Sequence, residues 1–447
     1  MKGKGAMLRG KRAAILALTI AVVGCSGLGD IVSDNKKPLK GERVSVLTLD
    51  RRLEPDPALA AIRVSLPRPT MNAEWPQAGG YPSHAMQHLA LDGALKEAWS
   101  ADIGEGQSRY GAVLSQPVVA GGHLFALDAR DVVIALDAKT GHELWRNDVK
   151  PDDELTHAYG GGLAVAGDRL YVTTGYGQVL ALEAASGKEI WRQQLTAPLR
   201  GAPTVANNRV FAVTVENELE ALSAEDGHRL WTHDAIPETA GLLGAASPAV
   251  EGDVVVVPFT SGEIVGLLAE NGRQLWADNL AVARPLGALS TLSDIRGRPV
   301  IDRGRVFAVS HSGRMVAIDL RTGDRVWEQD IGGTHGPWVA GDYIYVLSND
   351  VDLLCLTRED GRVRWSRELP RYEDMKRKED PLRWAGPVLA GDRLIVIASD
   401  GVAVSISPYT GKPLGRVGFP SGVSLDPIVA NDMLFVLTND AGLIALK

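Results

Sequence analysis

Cysteine is almost missing from this sequence: Cys25 and Cys355 are its only two in 447 residues. Two cysteines cannot build the disulfide framework of a small secreted domain, and a Cys-x-x-Cys-His motif for covalent haem is absent. An aspartate-rich loop with the spacing of a calcium site is absent as well. We therefore expect a fold held together by its apolar core, with no metal or organic cofactor, in which Cys355 packs as a small apolar side chain.

Positive charge is also scarce, since the sequence has 47 Lys and Arg but 55 Asp and Glu, which gives a formal net charge of −8. Removal of the first 24 residues, which hold five basic and no acidic side chains, would lower this charge by five, to −13. A chain of that charge is repelled by phosphate backbones, so we expect no nucleic-acid partner.

The first 24 residues have the composition of an export signal. Basic residues between Lys2 and Arg12 precede an apolar stretch, residues 13–23, that is too short for a permanent transmembrane helix. The sequence Val22-Val23-Gly24-Cys25 resembles a bacterial lipobox, which implies that residues 1–24 are removed and that Cys25 is lipidated. Since Ser26 rather than Asp follows the cysteine, the resemblance also implies sorting to the outer membrane. The alternative is an ordinary secretory signal that happens to contain a cysteine.

Residues 25–71 are expected to form the lipidated cysteine and a flexible tether, because residues 26–71 have mixed charge, several prolines and little periodicity. Residues 72–447 are expected to form one folded domain. His84 and His88, near its start, have a spacing that could hold a metal. Without a third ligand nearby or a helical pattern, we interpret them as packing or capping residues.

From Trp99 onward the sequence is periodic, and its clearest unit is ALDAKTGHELW, which ends at Trp145. An apolar pair, a polar tract with a glycine, and a tryptophan four residues later predict a strand, a tight turn and a second strand. The turn glycine recurs at intervals of 38 to 51 residues, at Gly141, Gly187, Gly227, Gly272, Gly323, Gly361 and Gly411. Tryptophan follows each of them except the last, where Gly415 stands and less bulk is expected. A period of about 45 residues is the length of a four-stranded propeller blade.

A second unit, made of a strand, a polar turn and another strand, lies between these turns. Its eight copies begin at Pro117, Leu163, Pro203, Pro248, Pro299, Pro337, Pro387 and Pro427. Gly-Asp and Gly-Gly pairs in the turns suit two-residue primed hairpins. The predicted fold class is therefore all-β, an eight-bladed β-propeller with four-stranded antiparallel blades.

The two ends of the periodic region predict how the ring closes. The last copy stops at Lys447, one strand short of a blade, whereas the strand around Trp99 has no blade of its own. We expect this N-terminal strand to complete the C-terminal blade, which leaves no open sheet edge between the termini.

The repeats resemble those of the quinoprotein-like eight-bladed propellers over roughly residues 95–447. Together with the lipobox, the segment WPQAGGYPSHAMQHLAL from Trp75 makes the sequence similar to the BamB lipoproteins of the outer-membrane β-barrel assembly machinery. This resemblance implies a non-catalytic scaffold, lipid-anchored at the periplasmic face of the outer membrane. It also implies that the scaffold binds the POTRA domains of BamA and other assembly lipoproteins, and assists the insertion of unfolded β-barrel proteins.

The same resemblance implies a partner-binding site on two inter-blade loops. An apolar and basic loop falls at residues 240–244 and gives Leu242 and Leu243, although Leu243 stands where the family pattern has a basic residue. An acidic loop falls at residues 292–296 and gives Asp294 and Arg296, although Arg296 stands where a second acid is expected. The alternatives are burial of the leucines between blades, and a role for Asp294 as a turn cap or a solvated carboxylate.

Two other functions remain open, because the propeller motif is specific for a fold and weak for a function. The first is a quinone-dependent or other ligand-binding enzyme. Such enzymes are typically longer and often carry a vicinal Cys-Cys pair and a calcium site, both missing here. Histidines that could line a pocket have no shared position in the repeat: His157, His233, His311 and His335. The second is a polysaccharide-binding or adhesion module.

Overall fold

The structure, a computed structural model, describes residues 53–108, 115–158, 160–238, 241–242, 244–282 and 292–447. Within these ranges, eight four-stranded antiparallel sheets form the blades of a β-propeller, as predicted. The predicted export signal and Cys25 lie outside the described residues. No helix in the described part of the chain combines the length and the apolar character needed to cross a membrane.

The first strand of the chain, β1 (Glu97–Asp102), belongs to the last blade, and blades 1 to 4 follow in chain order. Blade 1 contains β2 (Val118–Ala120), β3 (His123–Leu127), β4 (Val132–Asp137) and β5 (Glu143–Asp148). Blade 2 contains β6 (Gly161–Ala166), β7 (Arg169–Thr174), β8 (Gln178–Glu183) and β9 (Glu189–Gln194). Blade 3 contains β10 (Thr204–Ala206), β11 (Arg209–Val213), β12 (Glu218–Ser223) and β13 (Arg229–Asp234). Blade 4 contains β14 (Ala249–Glu251), β15 (Val254–Pro258), β16 (Glu263–Leu268) and β17 (Gln274–Asn279).

The second half of the ring repeats this order, with one additional hairpin between blades 6 and 7. Blade 5 contains β18 (Val300–Asp302), β19 (Arg305–Val309), β20 (Met315–Asp319) and β21 (Arg325–Gln329). Blade 6 contains β22 (Trp338–Ala340), β23 (Tyr343–Leu347), β24 (Asp352–Thr357) and β25 (Val363–Glu368), and the hairpin contains β26 (Tyr372–Asp374) and β27 (Glu379–Pro381). Blade 7 contains β28 (Trp384–Ala390), β29 (Arg393–Ala398), β30 (Val402–Ile406) and β31 (Pro413–Gly418). Blade 8 contains β32 (Ile428–Ala430), β33 (Met433–Leu437) and β34 (Gly442–Leu446), and β1 completes it.

The ring closes through the pairing of the N-terminal strand with the C-terminal one. Strand β1 runs antiparallel to β34, with Trp99 opposite Ala445 and Asp102 opposite Gly442. The predicted closure is therefore confirmed. Because β1 comes from the other end of the chain, the pairing joins two termini that would otherwise each leave a strand edge open.

Two-residue turns connect the first and second strands of the blades, and their backbone conformations match the predicted primed hairpins. Asn207 and Asn208 have φ angles of +52° and +59°, and Gly391 and Asp392 have +57° and +59°. Two successive residues with positive φ define a type I′ turn, whose twist matches that of the flanking strands. Gly, Asn and Asp tolerate this conformation best.

Each of the six recurring tryptophans packs onto the turn glycine of the following blade. A Cβ atom added at Gly187 would lie 2.5 Å from the Trp145 ring, and one added at Gly323 would lie 2.4 Å from the Cβ atom of Trp276. The Trp145 Nε1–H also donates to the Ala184 carbonyl, at 3.0 Å. Glycine is required at these turns because both the positive φ and the close approach of the tryptophan exclude a side chain. The repeat thus joins neighbouring blades.

Gly415 is the exception to this arrangement. A Cβ atom added there would meet no other atom within 4 Å. The following blade is completed by β1 from the other end of the chain, so it has no continuous turn of the kind that the other tryptophans cover. The smaller bulk predicted at Gly415 therefore coincides with the closing blade.

Residues 72–91, called the crossing segment below, lie across one end of the channel and hydrogen-bond to all eight blades. Trp75 exchanges two backbone hydrogen bonds with Val119 of blade 1, at 2.7 and 2.8 Å, and the Asn72 carbonyl accepts from the Asn431 N–H of blade 8, at 2.7 Å. Blades 2 to 7 are contacted in chain order through hydrogen-bonded residue pairs: Pro76 with Val165, Gln77 with Val205, Pro82 with Val250, Ser83 with Ile301, Gln87 with Trp338, and Leu89 with Gly391. The inner strands have no further strand to pair with, and the crossing segment satisfies several of their free backbone groups.

Several of these contacts involve the turns between the first and second strands. Gly121 N–H donates to Glu74 at 3.1 Å, and Gly341 N–H donates to the Gln87 side chain at 3.0 Å. The crossing segment therefore covers the end of the channel at which these turns lie. The opposite end is surrounded by the connections between blades.

The folded unit begins at Leu53, earlier than the predicted boundary at residue 72. The short 3-10 helix Pro57–Leu59 buries Leu59, which is 3% exposed, and Val64 is 8% exposed. The Asp56 N–H donates to the carbonyl of Val363 in β25, at 2.8 Å. Residues 53–71 thus pack against blade 6 instead of extending into solvent as part of the tether. Only two of the apolar side chains in this proline-rich stretch are buried, which is too few to produce a periodic signal in the sequence.

We expect Gln77→Ala to lower the free energy of unfolding by about 2 kcal/mol, because a buried backbone N–H and carbonyl would lose their partners. The Gln77 amide bonds both the carbonyl and the N–H of Val205, at 2.8 and 2.9 Å, and Gln77 is 3% exposed. Urea denaturation followed by circular dichroism measures the change. Gln274→Ala, at an exposed position of β17, is the matched control and should leave stability unchanged. Equal stability of both variants would show that the crossing segment does not support the ring.

Candidate functional site

The two loops that carry the predicted partner-binding residues meet on one face of the propeller. Leu242 lies between β13 and β14, and Asp294 lies between β17 and β18, so both loops join the outer strand of one blade to the inner strand of the next. The Leu242 backbone N–H donates to Asp294 Oδ2 at 2.9 Å. The Leu242 residue is half-buried and keeps part of its surface accessible.

Asp294 lies inside this pair of loops. The residue is 2% exposed, and its backbone carbonyl accepts from the His311 N–H at 2.9 Å. Burial raises the pKa of Asp294, while the hydrogen bond from Leu242 and the charge of Arg296 act in the opposite direction. The carboxylate is an internal acceptor that fixes the Leu242 loop. It does not form an exposed acidic surface.

A cavity of about 240 Å³ adjoins Leu242 between blades 3 and 4. Val213, Phe259 and Ile295 contribute apolar parts of its wall. Asn217, also in the wall, accepts from the Thr260 N–H and hydroxyl at 3.2 and 2.9 Å. These wall residues were not predicted, since the apolar ones look like ordinary strand residues. Asn217 has a φ of +62°, and its sequence signal is that of turn chemistry.

Arg296 points from the Asp294 loop toward the channel. Its Nε atom lies 3.4 Å from the position that a Cβ atom on Gly244 would take, so the guanidinium packs against the Leu242 loop where glycine leaves room. Burial lowers the pKa of Arg296, and the carboxylates of Asp426 and Asp294 oppose this effect. The predicted residue Leu243 lies outside the described residues.

A buried ionic cluster lies further into the channel, around Asp426. This carboxylate accepts from Arg298 Nη2 at 2.9 Å, from His335 Nδ1 at 2.8 Å and from the Gly386 N–H at 2.6 Å. Burial opposes its ionisation, but the charge and hydrogen bond of His335 and the charge of Arg298 outweigh burial and hold the pKa of Asp426 well below its usual range. The cluster links the connections that precede blades 5, 6 and 8.

Cys355, His84 and His88 are all buried. The described residues contain no group of three or more His, Cys, Asp or Glu that could hold a metal ion. Burial raises the pKa of the Cys355 thiol, so Cys355 is not poised as a nucleophile. Burial also lowers the pKa of His84 to about 3, and its Nδ1–H donates to the Pro299 carbonyl at 2.7 Å. His88 contacts the Pro67 carbonyl through Nδ1 and accepts from the Asp392 N–H through Nε2, as expected for packing residues.

Comparison with solved structures identifies the fold. The crystal structure of BamB from Moraxella catarrhalis matches with a TM-score of 0.68 and 19% identity, over 79% of this chain and 100% of that one. The quinohemoprotein alcohol dehydrogenase from Comamonas testosteroni matches with a TM-score of 0.64 and 16% identity, over 83% of this chain and 80% of that one. At these identities the structures show a shared propeller and do not distinguish a scaffold from an enzyme.

Comparison of sequences identifies the family. The outer membrane protein assembly factor BamB of Pseudomonas aeruginosa is 29% identical over 440 residues, which cover 98% of this chain and 99% of that protein. The family profile described as outer membrane protein assembly factor BamB matches residues 89–155, 129–367 and 372–447. Because these matches extend over nearly the whole propeller, the chain belongs to the family of the outer membrane protein assembly factor BamB.

Proposed function

We propose that this chain is a non-catalytic scaffold of the outer-membrane β-barrel assembly machinery that holds a POTRA domain of BamA on the surface around Leu242. One observation carries the proposal: Leu242, partly exposed beside a cavity with a partly apolar wall, is fixed to a second loop by the buried carboxylate of Asp294. An apolar anchor on a rigid support loses little conformational freedom on binding, which favours a stable contact.

In this proposal the predicted residues have different tasks. Leu242 contacts the partner, and Leu243 extends the same apolar loop. Asp294 and Arg296 are positioning residues, because the first accepts the Leu242 N–H and the second packs against Gly244. The two charged residues thus act on the partner through the shape of the loop.

The outer strands of the blades fit a second part of the function, the handling of unfolded β-barrel proteins. Among the residues that the structure describes, no further strand pairs with their outer edges. Exposed aliphatic side chains recur on these strands, at Leu144, Ile190, Leu230, Val326 and Leu414. An extended segment can add to such an edge by β-augmentation, with the aliphatic side chains as additional contacts.

A lipid on Cys25 would place this scaffold at the periplasmic face of the outer membrane, next to BamA and the other assembly lipoproteins. Each buried methylene contributes about 0.8 kcal/mol, so several acyl chains make anchoring nearly permanent. Mass spectrometry of the N-terminal peptide of protein extracted from membranes should find Cys25 acylated and residues 1–24 absent. An unmodified Cys25, or a retained signal, would contradict this part of the proposal.

Copurification from native membranes tests the main proposal. The detergent-extracted full-length chain is expected to retain BamA, and a purified POTRA domain should bind it without other components. Absence of BamA from the purified complex would contradict a scaffold role in this machinery.

The structural match to a quinohemoprotein alcohol dehydrogenase leaves one alternative function, that of a quinone-dependent enzyme. An enzyme of that kind would bind quinone in stoichiometric amount when quinone and calcium are supplied. An absorption spectrum before and after this addition discriminates between the two, and a stoichiometric quinone band would favour the enzyme.

A further inference from the structure

The channel end opposite the crossing segment opens into a cavity of about 300 Å³. Its wall is built from the connections that precede blades 5, 6, 7 and 8 and from the turn at Ser348 and Asn349 in blade 6. A cavity of this volume is at the lower end of the range of small-molecule sites. It is separate from the cavity beside Leu242.

The charge of this cavity is opposite to that of the chain. Arg296 and Arg383 line it together with His335, and none of its described wall residues is acidic. The chain as a whole carries a formal charge of −8, so the two arginines in this wall form a local concentration of positive charge. The carboxylates of Asp426 and Asp294 act on Arg296 from outside the wall. Hydroxyl groups of Thr334 and Ser424 supply further hydrogen-bond donors.

The hydrogen-bond partners around the cavity leave these cations available. Asp426 is already engaged by Arg298 and by His335 Nδ1, at 2.9 and 2.8 Å. Within the described ranges no carboxylate forms an ion pair with Arg296. Its desolvated guanidinium would therefore gain from an incoming anion, which it can bind through two parallel N–H groups.

Another part of the wall is apolar. Leu382, Val423 and the Trp384 ring face the cavity. The Trp384 Nε1–H donates to the Pro370 carbonyl at 2.8 Å, so the indole offers only its ring to a ligand. A purely inorganic anion would leave this surface uncovered.

We propose that the cavity binds a small amphiphilic anion, a phosphate or carboxylate joined to an apolar group, with Arg296 and Arg383 holding the oxyanion. The apolar group would lie against Leu382 and Trp384. This site requires no partner protein, although it shares Arg296 with the support of the Leu242 loop.

Isothermal titration of the detergent-solubilised full-length chain with phenyl phosphate tests the proposal. We expect saturable single-site binding that is tighter than the binding of inorganic phosphate and weakened by added chloride. Benzoate, as the second probe, shows whether a carboxylate replaces the phosphate. Arg296→Gln and Arg383→Gln should each weaken binding about tenfold, since each removes a charge-assisted hydrogen bond.

Arg377→Gln is the matched control, because this side chain is 73% exposed on the neighbouring hairpin and does not line the cavity. It should bind as the unsubstituted chain does, and circular dichroism should show all three variants folded. Equal binding by Arg296→Gln, or equal binding of the neutral probe benzyl alcohol, would overturn the proposal. Because BamA is absent from this titration, its outcome does not depend on the proposed scaffold function.

Discussion

Leu242→Asp is expected to weaken the binding of a POTRA domain roughly 30-fold, as for the loss of a central interface anchor. The substitution removes apolar surface at the contact and places a charge where a partner would have to desolvate it. It also brings a second carboxyl group close to Asp294, whose side chain accepts the N–H of residue 242. Surface plasmon resonance with the purified POTRA domain measures the change.

Two further variants make this result interpretable. Leu242→Asn removes the apolar contact without adding charge, so it separates lost contact from repulsion near Asp294. Leu155→Asp is the matched control, since Leu155 is 96% exposed in the connection between blades 1 and 2, a loop of the same type. Undiminished binding by Leu242→Asp, with the propeller folded, would remove this surface from the proposed function.

The ring was predictable from the sequence because its contacts repeat. Trp145 and Gly187 stand at spacings that recur around the ring, and each tryptophan meets the next turn glycine in the structure. The closing pair of β1 and β34 was predictable for a related reason, since one strand was missing at one end of the repeats and one was left over at the other. Periodic packing therefore leaves a clear trace in the sequence.

The crossing segment was not predictable by the same means. Its contacts use backbone groups of Trp75 and Leu89 and the single amide of Gln77, and none of these recurs along the segment. The candidate site was located only in part. The resemblance brought residues 242 and 294 together, but the inward position of the Asp294 carboxylate depends on burial, which no local pattern encodes.

Asp131 is a buried carboxyl group that the repeat also does not explain. It lies in the turn between β3 and β4, is 3% exposed and has a φ of +66°, and its Oδ2 atom has no hydrogen-bond partner among the described residues. Burial raises the pKa of Asp131 to about 7, and the charges of Asp128 and Asp148 add to this effect. The nearby Tyr176 hydroxyl and the charge of Lys150 act in the opposite direction. Asparagine has the same shape and is well tolerated at positive φ.

Asp131→Asn is expected to stabilise the protein at alkaline pH. The folded-state pKa of about 7 lies above the ordinary value of 3.8, so the folded state binds the proton more tightly than the unfolded one. Stability from this group is fully present below about pH 4 and is lost as pH rises to about 7, by at most about 4 kcal/mol. The advantage of the variant should therefore grow by about 3 kcal/mol at most between about pH 5 and 8. Urea denaturation at both pH values measures this difference in the free energy of unfolding. Asp168→Asn, in an exposed turn, is the control. A gain in stability that does not change with pH would show that Asp131 is not protonated in the folded state.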